Sequence, residues 1–243
     1  MKLNMILPVF LFSANAVFAQ SGTEAVSMGQ EFAELAAHGG VSGKGFAAYQ
    51  SYSSNQVNGS QFFFPDWKPG EIVTTHKDVF NEGLLFIYDK VRQEVFIRQK
   101  DSSLILLGNK DEIKSFSLKD DDKQYHFVNS SLFTDEKPEV FYQVMIYDSS
   151  KLTLLKYTKT TFVKADMTDM MKQREGDVYD SFVDKFTYYI VPANGIPQAV
   201  QLKTKSLKKT FSGMNINPEK YMNEHPGPID EDYLVAMVRE LNK

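Results

Sequence analysis

The chain has 243 residues, no cysteine, 27 basic against 31 acidic side chains and a formal net charge of −4. Without cysteine there can be no disulfide, no thiolate metal site and no lipid carried on an N-terminal cysteine. The mild acidity, with "KTKSLKK" at Lys203 to Lys209 as the densest basic run, argues against nucleic acid, which wants a concentrated positive face.

The first residues, "MKLNMILPVFLFSANAVFAQ", carry one charge, Lys2, then an apolar run from Met5 to Phe12 and a small, polar stretch. Val17 and Ala19 stand three and one residues before a cut ahead of Gln20. This is the order of a secretory signal, so residues 1–19 are expected to be removed between Ala19 and Gln20 and the mature chain to be secreted or periplasmic. The apolar run is far short of the ~20 residues a spanning helix needs, and no later run reaches that length, so no transmembrane segment is expected. Taking 19 residues from 243 leaves 224, a chain able to bury roughly 70% of its unfolded surface without covalent staples.

Residues 20–60 read as a short helix and a linker. Met28, Phe32, Leu35 and Ala36 recur at helical spacing within Glu24 to His38, and Gly39-Gly40 follows as a stop. Gly39 to Ser60 then holds five glycines and five serines in 22 residues, the composition of a flexible linker.

From residue 61 to 202 the apolar period becomes two. "EIVTTHK", "GLLFIYD", "EVFIRQ", "SLILLG", "IKSFSL", "YHFVNS", "EVFYQVMIYD", "KLTLLKYT" and "TTFVKA" are β-branched or aromatic runs divided by Gly, Asn, Asp and Pro. Their spacing predicts antiparallel strands joined by hairpins. "EVFYQVMIY" is apolar on both faces, with Val140, Tyr142, Val144 and Ile146 on one and Phe141, Met145 and Tyr147 on the other, as in a central strand covered on both sides. Between Val163 and Asp184 the spacing of Met167, Met170 and Met171 predicts one or two helical turns. Asn194-Gly195 predicts a type I′ hairpin turn, and Pro197 places the returning strand at an edge. Over 203–243, Thr204 is expected to cap one helix, with Gly213 as its stop. Asp230 is expected to cap a second, with Tyr233, Leu234, Met237, Val238 and Leu241 on one side. The fold class is therefore mainly β (α+β): a curved antiparallel β-meander with a C-terminal helical segment packed on it.

Recognisable chemistry is sparse. No pair among His38, His76, His126 and His225 has zinc-protease spacing, and His76 and His126 lie in strand-like runs, where a hydrogen-bonded sheet histidine is expected. "GGVSGKG" fails the phosphate-loop pattern at His38 and Gly45. Ser206-Leu-Lys-Lys209 lacks the companion motifs of penicillin-recognising enzymes. Asp120, Asp121 and Asp122 lack the alternation of a calcium loop and read as a solvated turn. Asp177, Asp180 and Asp184 read as a solvated helix face, and the methionines as packing. No cofactor and no metal are expected.

The aromatic stretch "QFFFPDW", Gln61 to Trp67, holds the chain's only tryptophan. An exposed platform there would need flanking polar groups, so Trp67 and two of the phenylalanines are expected to close one end of the core. As a ligand surface, the candidates are Phe63, Trp67, Phe86, Tyr88, Phe96 and Tyr142, on a platform or a concave sheet face.

The order "FFFPDWKPGEIV", "GLLFIYDKVRQEVFIRQKD", "EIKSFSL", "FYQVMIYDSSKLTLLK" and "YYIVPANGIPQAVQLKTKSLKKTF" resembles a group of uncharacterised secreted proteins of Bacteroidetes. In that group a Trp-x-x-Gly start leads into a β-meander, and a late Tyr-Tyr hairpin precedes a Lys-rich helix. The resemblance runs from about Gly59 to the C-terminus and departs at the Gly/Ser-rich leader and at Glu82-Gly83. It implies location and fold type but no catalytic residues. The expected function is a non-enzymatic secreted or periplasmic role in binding or envelope assembly, with an unidentified protein, glycan or lipid as partner. The alternatives are a carrier of a lipid or glycan, and a hydrolase using strand-borne carboxylates.

Overall fold

A computed structural model describes residues 57–100, 105–135, 138–165, 179–193 and 195–243. The signal with its Ala19–Gln20 cut, the Glu24 to His38 helix, the three methionines, Asp177 and Asn194 lie outside the described residues. Strands β1 (Val57–Asn58), β2 (Lys68–Thr74), β3 (Val79–Phe80), β4 (Leu84–Asp89), β5 (Glu94–Gln99), β6 (Ile105–Leu107), β7 (Ile113–Asp120), β8 (Lys123–Asn129), β9 (Phe141–Ile146), β10 (Leu152–Val163), β11 (Asp180–Pro192) and β12 (Gln198–Val200) precede three helices. These are α1 (Thr204–Gly213), α2 (Glu219–Glu224) and α3 (Glu231–Leu241). The strands form one sheet in the order β1-β11-β10-β9-β8-β7-β2-β4-β5-β6, with β12 added on β11 and β3 on β2. The protein is mainly β with a helical C-terminal segment.

The meander is antiparallel from β7 to β11, but the sheet as a whole is mixed. β1 runs parallel to β11, with Val57 opposite Asp180 and Asn58 opposite Ser181, so the stretch read as linker already contributes a strand. Gly59 makes this approach feasible. Its φ is +79° and a Cβ there would stand 2.6 Å from the Phe182 carbonyl oxygen, a position open only to glycine.

β2 changes partner midway. Lys68 and Pro69 pair with Phe86 and Leu85 of β4, whereas Gly70 onward pairs with β7. At the switch a Cβ on Gly70 would lie 2.0 Å from the Ser117 carbonyl oxygen, so the close passage of β2 over β7 requires glycine. The switch folds β4–β5 back over β7–β8. Phe86, Tyr88, Val95 and Ile97 thereby meet Ile72, Phe116, Leu118, Phe127 and Phe141 in one core. Phe116 and Phe127 stack at 4.6 Å between ring centroids.

The same sheet face is covered farther along by the helices. Leu152, Leu154, Tyr188 and Ile190 pack under Leu207, Phe211, Leu234, Met237 and Val238. Asn242, just past α3, latches the helix down: its side chain donates to the Leu152 carbonyl at 2.8 Å and accepts from the Leu152 amide at 3.1 Å. A smaller cluster of Tyr142, Leu155 and Val191 forms on the opposite face.

Several expectations change in detail. "KLTLLKYT" and "TTFVKA" are one strand, β10, paired with β11 from Leu152 to Val163. Asp180 and Asp184 are consequently strand residues. A register shift between Leu154 and Leu155 turns Ile146 to the helix-covered side, because one extra residue reverses the alternation. A two-residue turn at Asn194-Gly195 would set Ile190 opposite Ala199. Ile190 instead faces Gln198, and the Gly195 amide donates to the Pro192 carbonyl at 2.9 Å. His76 lies in the turn after β2. Thr204 does not cap α1, whose N-cap is Lys203 without a side-chain hydrogen bond. The stop of α1 is Asn215, at φ 58°, and not Gly213. The Ile216 amide reaches the Phe211 carbonyl at 2.9 Å, which is the Schellman closure with asparagine in the left-handed position. Asp230 does cap α3, accepting from the Tyr233 amide at 2.9 Å, and Tyr233, Leu234, Met237, Val238 and Leu241 all reach the core.

Candidate functional site

The residues proposed from sequence as a ligand surface do not share one. Phe63 sits edge-on to Phe127 at 5.0 Å and to Tyr125 at 5.4 Å, and Phe64 packs beside it, so this segment closes the end of the core. Trp67 is half-buried under the Arg98 guanidinium, 4.7 Å from the ring. Phe86 and Tyr88 are buried within the aromatic core. Phe96 is buried on the other side of β5, one residue out of phase with Val95 and Ile97. Tyr142 is buried in the opposite-face cluster. A concave lining by Phe86, Tyr88, Phe96 and Tyr142 is therefore corrected: strand alternation and the fold-back of β4–β5 send them to different interiors.

The most concentrated buried polar network belongs to the β4–β5 turn. Gln93 accepts from the Tyr88 hydroxyl at 2.8 Å and the Phe141 amide at 3.0 Å, and donates to the carbonyls of Lys90 at 2.8 Å and Thr158 at 3.2 Å. All four hydrogen-bonding positions of its amide are used. The Asp89 carboxylate accepts from the Val91 and Arg92 amides, the Arg92 guanidinium and the Gln61 side chain. The Glu94 carboxyl is raised above its ordinary value, chiefly by burial and then by the charge of Asp89. Asp89 and Glu94 face each other across the β4–β5 hairpin, yet Asp89 is fully engaged in holding the turn. This network is a structural clasp.

On the open face of β2, β7, β8 and β9 lies a groove of about 310 Å³. Glu71, Ser117, His126 and Val144 cross it in one register row. Serine stands between the glutamate and the histidine, so Glu71 cannot orient His126 as a nucleophilic triad demands. The Ser117 hydroxyl accepts from the Gln124 side chain at 3.0 Å. Among the described residues no group of three or more His, Asp or Glu side chains could hold a metal ion, and no helix is long and apolar enough to cross a membrane.

A larger groove, about 1150 Å³, runs along β11 and β12 to α1. Phe186, Tyr188, Val200 and Leu202 contribute its apolar lining, and Lys185, Lys203, Lys205 and Lys209 its charges, with no carboxylate among the lining residues. All four lysines are exposed, and none is ion-paired with a described residue. Two carboxylates on neighbouring elements are already neutralised: Asp184 by Lys90 at 2.7 Å, and Glu231 by Lys156 at 2.6 Å with the Tyr188 hydroxyl donating at 2.6 Å. Burial, followed by this bond to Glu231, pushes the Tyr188 phenol well above its ordinary value. Phe186, within the groove, is 47% exposed, and Val183, on the other face of β11, 50%.

The β11 edge beside this groove is only partly paired. β1 covers Asp180 and Ser181, and β12 covers Tyr188, Tyr189 and Ile190. Gly59 lies against Phe182, and no described strand pairs with that edge over Val183 to Thr187. Sequence reasoning noticed "KTKSLKK" but set it aside with nucleic acid, and it missed Val183 and Phe186. They are marked by being large apolar side chains exposed in a strand whose other apolar residues are partly or fully buried. No protein-family model, curated protein or solved structure matches this chain.

Proposed function

We propose that this is a non-enzymatic secreted or periplasmic protein whose role is to bind another protein, with the β11 edge and its flanking groove as the contact surface. One observation carries the reading. The large apolar side chains left in solvent on or beside the ribbon, Val163, Tyr179, Val183 and Phe186, lie along the half of β10 and β11 toward Val163 and Asp180. Apolar surface grouped in this way is costly unless something covers it. Val163 and Val183 lie on one face of the ribbon and Phe186 on the other, by strand alternation from the β10–β11 register. A partner gripping the edge would contact both faces.

The carrier reading loses its proposed lining to the packed cores. Against the hydrolase reading, Asp89, which faces Glu94 across the β4–β5 hairpin, has its carboxylate committed to holding the turn. The test is a photo-crosslinking residue placed at Val183 in the protein produced by its own organism, with Tyr147 on the open sheet face as control. The expected product is a protein-sized adduct at Val183 alone. A lipid-sized adduct, or none, would remove the reading.

A further inference from the structure

Resting on that reading, we infer that the partner presents an extended acidic segment that joins the sheet as an added strand on the β11 edge, in the gap between β1 and β12. The gap has two built ends. β1 stops at the level of Ser181 and β12 begins at Tyr188, so the edge that no described strand covers spans Val183 to Thr187. An uncovered strand edge offers a row of unpaired amides and carbonyls, and an extended peptide satisfies them through its backbone. A guest of about five or six residues, at roughly 3.3 Å per residue, fills the gap.

Side chains alternate across such a strand. Those on one face meet Phe186 and Leu202, and those on the other meet Val183. The charge of the guest follows from the rim, where Lys185, Lys203, Lys205 and Lys209 have no carboxylate among them in a chain that is acidic overall. Lysine on an edge strand can also guard against unwanted pairing. That role explains Lys185, which lies on β11 itself. Lys203, Lys205 and Lys209 lie on the flanking loop and helix, where they do not obstruct pairing and instead attract an acidic guest. A second copy of this chain fits poorly, because two such edges would bring two lysine rims together. An anionic lipid would use the lysines and leave the edge amides unpaired.

The probes are blocked six-residue peptides: one alternating Glu with Val, its Lys–Val counterpart, and two forms of the Glu–Val peptide N-methylated on alternate amides. One of the methylated forms must block the edge that meets β11. Hydrogen exchange of the full chain is expected to slow by about tenfold or more at amides within Val183 to Thr187 on saturation with the Glu–Val peptide. One methylated form should lose this protection, and the Lys–Val peptide should give none. The double variant Lys203→Glu/Lys209→Glu, at exposed positions that leave the fold intact by circular dichroism, should weaken binding by about tenfold, as should raised salt. Unchanged exchange at saturation, equal protection by both methylated forms, equal binding of the Lys–Val peptide, or binding of anionic vesicles that displaces the peptide would each overturn strand addition. A protein adduct at Val183 would then still stand for a protein partner of another shape, so the two ideas fail separately.

Discussion

The Lys90 ammonium lies 2.7 Å from the Asp184 carboxylate, joining the β4–β5 turn to the middle of β11 across 94 residues of chain. Asp184 also accepts from the Thr160 hydroxyl at 2.6 Å. The pair fixes the distance between the folded-back hairpin and the long ribbon that carries the free edge.

Lys90→Met should therefore destabilise by about 2 kcal/mol, since it leaves a partly buried carboxylate with one neutral donor. Adding Asp184→Asn should cost less than the sum of the two single changes. Urea unfolding of the three variants checks this; strict additivity would show the two groups to be uncoupled.

Gln93→Leu keeps the size of the side chain but strands the Tyr88 hydroxyl, the Phe141 amide and two carbonyls inside the protein. The expected loss is about 3–5 kcal/mol, several buried polar groups being left without partners. A loss below about 1 kcal/mol in denaturant titration would mean that water reaches the clasp.

Phe127→Ala should cost about 3–5 kcal/mol, because its ring packs against Phe63, Tyr88 and Phe116 and a cavity would remain. Trp67→Ala should cost nearer 1 kcal/mol, the loss of a half-exposed ring and its contact with Arg98. The order of the two unfolding midpoints tests whether Trp67 sits at the rim of the core, and a reversed order would show its ring to be packed more deeply than that of Phe127.

Stability should fall as pH rises above 10.0, the ordinary value of a tyrosine phenol. Tyr188, Tyr88, Tyr157 and Tyr233 are all raised in the fold, with burial the leading cause in each. The folded state therefore retains protons that the unfolded chain gives up. Their contribution is fully present below 10.0 and is lost as pH climbs through the folded values. Tyr188→Phe should soften the alkaline decline, as read from unfolding midpoints between about pH 9 and 11. An unchanged slope would show that Tyr188 titrates alike in both states.

The clasp was the least legible part of the sequence. "DKVRQE" looks like a solvated turn, and nothing local says that Asp89, Lys90 and Gln93 are buried, because Lys90 and Gln93 find partners on β9, β10 and β11 and Asp89 is also held by the distant Gln61. The free edge was equally hidden. It depends on where β1 and β12 happen to stop, and short pairings leave no periodic trace in composition.

Period-two runs set the strands, and β5 spans the "EVFIRQ" run residue for residue, because alternation of side chains is a property of each strand alone. The cap at Asp230 and the apolar face of α3 were determined the same way, by residues within one or two turns of each other, and the lack of any disulfide by a composition without cysteine. Tertiary structure alone decided which face of each strand is covered, that β2 divides its length between β4 and β7, and that over five residues of β11 no described strand pairs with the edge away from β10. Those outcomes rest on hydrogen bonds and contacts between segments far apart in the chain, and no local pattern encodes which distant backbone will arrive.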